Sequence, residues 1–158
     1  MNHYVKFTYE RARTDIAPFD ALTELNAYRR KLLELRLIGV DPSGIGFGNV
    51  SVRDGATSDF FITGSATGGL SELTPTDCVR VVAYDFAKNW LRYEGAAIPS
   101  SESLTHAAIY ESDPTISAVI HCHDSVFGGR VSIAFRQLRR PLRTARRKWR
   151  TKSCRCSR

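Results

Sequence analysis

The sequence predicts an α/β domain in which helices flank a largely antiparallel sheet. Three observations carry that prediction. Leu22, Leu25, Tyr28, Leu32 and Leu35 recur at three- and four-residue steps, the spacing of one face of a helix. Later in the chain, short β-branched and aromatic runs are bounded by turn residues and read as strands in hairpins. Helices do not alternate with those strands, which argues against a doubly wound parallel sheet.

In chain order, residues 1–19 lack clear periodicity and read as an N-terminal arm. A helix follows over about 20–38, with Asp20 as N-cap and Gly39 as C-cap. Arg29, Arg30, Lys31 and Glu34 fall mostly off its apolar face. "GNVSVRD" (48–54) and "DFFITG" (59–64) form two strands joined at Gly55. "GSATGGLSELTPTD" is a glycine- and threonine-rich loop, and 78–85 with 89–95 make a second hairpin around "FAK". A helix over 99–114 starts at Pro99 and its serines and stops at Asp113-Pro114. "ISAVIH" (116–121) is a buried strand. "GIGFGN" lacks the spacing of a dinucleotide-binding loop.

A chain of 158 residues, 42% apolar and 25% charged, suits one soluble domain with its own core. No apolar run approaches the ~18–20 residues of a membrane span. "MNHYVKFTYERARTD" has no apolar signal core, so the expected compartment is the cytoplasm. The net charge of +7 is unevenly spread: residues 130–158 hold ten Arg, two Lys and no acid, so the rest of the chain is mildly acidic. That division argues against a basic nucleic-acid face on the folded part, and nucleic acid is not an expected partner. Cys78 and Cys122 are expected in the core, while Cys154 and Cys156 form a C-x-C too small for a zinc site.

Several residues can carry chemistry, each with a plain alternative. His121 and His123 lie two apart on a strand, so both rings point one way and can share a metal, or both are merely hydrogen-bonded. Glu102 sits at a helix start that favours an anion; it is an acid/base group or a simple helix-start carboxylate. His106, four residues on, orients Glu102 or is a core histidine. Ser100 and Ser101 cap the helix or hold a phosphate. "ITGSATGG" is a turn or a cradle of backbone N–H groups, and Asn49 donates to the same ligand or shapes a turn.

Taken together, "GNVSVR", "FFITGSATGGLSELTPTD" and "PSSESLTHAAIYESDPTISAVIHCHDS" resemble, in wording and order, the class II aldolase/adducin family over about residues 20–127. The resemblance implies a three-layer α/β/α domain and a ring homotetramer with active sites at subunit contacts. It makes His121, His123 and Glu102 ligands of Zn2+ or another divalent metal, with Glu102 also the catalytic acid/base. Asn49, Thr63, Gly64, Ser100 and Ser101 match the phosphate-binding set. The implied activity, in carbohydrate metabolism, is that of a zinc-dependent lyase cleaving a ketose phosphate through a metal-stabilised enediolate. Alternatives are a family epimerase or dehydratase on a sugar phosphate, or an adducin-like scaffold without activity. Glu rather than Asp at 102 leans toward the aldolase.

The sequence departs from the family after about Gly128. The family's third zinc histidine, roughly sixty residues past the H-x-H pair, has no counterpart in this chain. Residues 20–129 read as a partial family domain. The segment 130–158 reads as a basic tail without regular structure, of the kind a shifted reading frame and an early stop produce. The expectation is a weakened metal site and an incomplete sheet edge.

Overall fold

The structure, a computed structural model, describes residues 5–16, 19–124 and 129–136. A strand β1 (Thr8–Arg13) precedes helix α1 (Leu22–Glu34), and a short ribbon of β2 (Gly39–Val40) and β3 (Gly46–Phe47) follows it. Then come β4 (Asn49–Arg53), β5 (Phe60–Thr63), β6 (Cys78–Asp85), β7 (Trp90–Glu94), α2 (Ser103–Ser112), β8 (Ile116–Asp124) and β9 (Gly129–Arg136). Seven of the strands form one sheet in the order β1-β7-β6-β5-β4-β8-β9. Every pairing is antiparallel except β1 with β7.

Alternation along the strands sorts side chains onto two faces, and one helix covers each. Phe60, Ile62, Val79, Val81 and Val119 bury against Ala107 and Tyr110 of α2. Their chain neighbours Val50, Cys78, Ile120 and Cys122 bury with Leu25 of α1. The result is the expected three-layer α/β/α domain. Phe19 stacks on Phe61, ring centroids 4.0 Å apart, and seats the entry to α1 on its face of the sheet. Among the described residues no helix is long and apolar enough to cross a membrane.

Several local expectations are corrected. The N-terminal arm contains β1, held by backbone pairing to β7 although all six of its residues are exposed. Ala21, not Asp20, is the N-cap of α1, and no side chain caps it. The helix ends at Leu35 because Arg36 takes the left-handed conformation (φ 56°) and its N–H bonds Leu33; Gly39 lies beyond, in β2. The buried stripe of α1 is Leu25, Asn26 and Arg29, while Tyr28 and Leu35 are exposed. Helix α2 starts only at Ser103, because Pro99 is engaged in a β-bridge with Gly64. Against the expectation of a tail without regular structure, β9 pairs with β8 over Gly129–Arg136; residues 137–158 lie outside the described residues.

Candidate functional site

β8 carries His121 and His123 on one face, and Cys122 packs on the other among the α1-side core. The two imidazole centroids lie 5.2 Å apart with the rings nearly perpendicular. An imidazole nitrogen about 2.0–2.1 Å from a metal puts its ring centroid about 3.2 Å away, so two such rings at a tetrahedral angle stand about 5 Å apart. The observed separation equals that spacing. His123 is steadied by Phe47, stacked 5.3 Å away, and by its backbone N–H to Leu37 O at 3.0 Å. His121 is buried.

Glu102 stands at the N-cap position of α2, half-buried. Its Oε2 accepts from Thr105 Oγ1 at 3.0 Å, and its N–H reaches Ser100 Oγ at 3.4 Å. Among the described residues, no three His, Cys, Asp or Glu side chains gather closely enough to hold a metal. The structure thus brings together the two histidines but does not join Glu102 to them as a third ligand.

The other expected site residues line one end of the sheet. Asn49 pairs with His121 across β4 and β8. Thr63, 1% exposed, ends β5 and lies 3.4 Å from the Val50 N–H. Gly64 bridges to Pro99, which brings Ser100 and Ser101 alongside. Ser100 is buried and works locally, its carbonyl accepting from both the N–H and the hydroxyl of Ser103.

The glycine loop differs from a simple amide cradle. The N–H of Gly64 is bound to Asp77 O and that of Ser65 to Ile98 O, both at 2.8 Å. Gly64 matters through its missing side chain: a Cβ there would lie 2.7 Å from that of Ala97. Ala66 is left-handed (φ 63°), and a cavity of about 460 Å³ opens beside it, lined by Ser65, Thr67, Leu70, Thr76 and Ala97.

Two groups, Arg29 and Asn26, were not assigned these roles by sequence reasoning. Arg29, 1% exposed, sends Nη1 to Leu70 O (2.9 Å) and Nη2 to Thr67 O (2.8 Å) and Gly68 O (3.4 Å). Burial pulls its pKa below the usual arginine value, with Cys78 and Asp77 opposing. Asn26 both donates to Leu73 O and accepts its N–H. Helix α1 thereby fixes the loop from residue 67 to 73. The signal was available: Asn26 and Arg29 continue the Leu22–Leu25 stripe at helical spacing. His106 is the core histidine of the two readings, its ring bonded to Ser51 (Nδ1 to Oγ, 2.6 Å), while its bond to Glu102 is the helical one from backbone N–H to carbonyl at 3.0 Å. Burial, then the neighbouring His121, pushes its pKa down to about 3. Burial likewise pushes the Cys78 thiol up to about 12, with Asp77 adding to the rise.

The family model for the class II aldolase and adducin N-terminal domain matches residues 42–148. The chain belongs to the class II aldolase and adducin family. That match runs past residue 129, so the family pattern reaches into the basic segment. A solved L-fuculose 1-phosphate aldolase is 33% identical, with a TM-score of 0.51 over 70% of this chain. This chain covers 47% of that protein, about half its length. YgbL of Klebsiella pneumoniae, titled a candidate aldolase/epimerase/decarboxylase, aligns at TM-score 0.49 and 20% identity over 65% of this chain and 44% of its own, too distant to carry an argument. None of the curated proteins matches.

Proposed function

We propose that this family member is a metal-dependent aldolase-type lyase acting on a ketose phosphate. The observation that carries the reading is the pair of imidazoles on one face of β8, 5.2 Å apart. His121 and His123 hold the divalent cation jointly, and zinc suits them because it accepts nitrogen with oxygen ligands and keeps a position open for substrate. When bound, the cation supplies positive charge that offsets, by several kcal/mol, the negative charge developing on substrate oxygens. Glu102 moves the proton, from a carboxylate now tethered to Thr105. Asn49, Thr63, Ser100 and Ser101 hold the phosphate and keep the substrate in register, while Gly64 lets the 96–99 segment approach. Assembly as a homotetramer is part of the same proposal.

The test is aldehyde release from L-fuculose 1-phosphate and a panel of other ketose phosphates by the zinc-loaded chain. Cleavage that stops on chelation and is lost in His121→Ala is the expected result. A chain that binds zinc yet cleaves no member of the panel overturns the proposal.

A further inference from the structure

Beneath the two histidines of β8 runs a short chain of polar groups whose proton order follows from its ends. Tyr110 Oη lies 2.8 Å from Ser51 Oγ, and Ser51 Oγ lies 2.6 Å from His106 Nδ1. All three residues are at most 2% exposed. Burial pushes the Tyr110 phenol to a higher pKa, against the opposing pull of Ser51, Arg53 and the Val119 backbone, so it keeps its proton. Its own proton needs an acceptor, because buried hydroxyls are hydrogen-bonded. Ser51 Oγ is the acceptor among its described hydrogen bonds. Ser51 then turns its proton to His106 Nδ1, which must offer a lone pair, and the ring keeps its hydrogen on Nε2.

That Nε2–H is buried and has no hydrogen-bond partner among the described residues. Leaving a buried donor unmet costs about 1–3 kcal/mol. Its surroundings show what it serves. Asn49 and Ser51 share a face of β4, and across from them on β8 stand His121 and Val119. His106, bonded to Ser51, therefore stands one strand alternation from the Asn49–His121 pair. Asn49 Oδ1, in the same patch, is a buried acceptor that also lacks a partner among the described residues. A donor and an acceptor on one patch of the sheet suit a hydroxyl oxygen, which accepts one bond and donates another. A phosphate oxygen carries no proton for Asn49 Oδ1, so the phosphate is met by the Asn49 amide N–H groups and the acceptor stays open for a hydroxyl.

We infer that His106 is a further ligand-binding residue of this site, a neutral donor whose Nε2–H bonds a hydroxyl oxygen of the bound sugar beside His121. The inference rests on the sugar-phosphate reading of the site.

Multiple-bond 1H–15N correlation on the full chain, labelled in histidine and in backbone nitrogen, tests it. His106 is expected with a protonated Nε2 and a bare Nδ1 at neutral pH, and Ser51→Ala is expected to release the second tautomer. L-Fuculose 1-phosphate then shifts the His106 Nε2–H resonance, whereas inorganic phosphate alone does not. His106→Leu weakens sugar-phosphate binding about tenfold, the loss of one hydrogen bond. His106→Gln, whose amide nitrogen reaches the Nε2 position, recovers most of it. A protonated Nδ1 overturns the inference. So does a His106 signal that stays still while the sugar phosphate shifts the Ser100 and Ser101 amides, the result expected were the hydroxyl a resident water. If the sugar phosphate shifts no resonance at all, the sugar-phosphate reading itself fails, and this assignment with it.

Discussion

Replacing Arg29 by Met separates a buried clamp from a buried bystander. The guanidinium makes two short bonds, 2.8 and 2.9 Å, and one long one, all to carbonyls of the loop from Thr67 to Leu70. Hydrogen bonds to a charged group are worth about 1.5–3 kcal/mol each, so about 3–6 kcal/mol is at stake in the short pair. Part of that is offset because Met no longer takes a charge out of water. The carbonyls, however, stay where they are and lose their donors. A net loss of about 2–4 kcal/mol is expected, or about 5–15 °C in a domain of this size. Urea and thermal unfolding followed by circular dichroism measure it. Arg29→Lys, with one ammonium in place of a fork, should recover about half. A Met variant within about 0.5 kcal/mol of the parent would mean that the loop is held by something else.

Three further outcomes follow from the same geometry. Gly48→Ala should lose about 2–4 kcal/mol in urea unfolding, because φ is +77° there and a new Cβ would lie 2.4 Å from Ile38 Cγ2; a neutral effect would contradict that packing. His106 is held neutral when folded but titrates near pH 6.5 when unfolded, so the unfolded chain takes up the extra proton. Its contribution to stability is complete above about pH 6.5 and falls by about 1.4 kcal/mol per pH unit as pH drops toward 3; His106→Gln should flatten that slope in unfolding series between pH 5 and 6.5. Arg53 bonds Ile116 O and Tyr110 O, both at 2.8 Å, and lies over the Tyr110 ring, so Arg53→Ala should lose about 2 kcal/mol and speed amide exchange at the end of α2.

The hairpins were legible in the sequence because alternation and turn residues are local: β4 with β5 and β6 with β7 fall where the patterns put them. The histidine pair was legible for the same reason, since a strand aims residues 121 and 123 alike. What stayed hidden depended on contacts between distant segments. Thr8–Arg13 has six exposed residues and therefore no alternation; its strand is specified by backbone pairing to β7, some eighty residues away. Arg29 looked like a solvated charge, because a long polar side chain is buried only when another segment supplies acceptors, as the glycine loop does. Gly64 suggested an anion cradle, yet its amide is used by Asp77. The Ser51–His106–Tyr110 chain joins β4 to α2 across 55 and 59 residues, a juxtaposition no sequence window contains.

Cobalt(II) titration of the purified chain, followed by its visible absorption, tests the central claim most directly. One cobalt per chain in a tetrahedral spectrum, displaced by zinc and abolished separately by His121→Ala and by His123→Ala with the fold intact, is the predicted result. Equal cobalt binding by the parent and by the double alanine variant would contradict it.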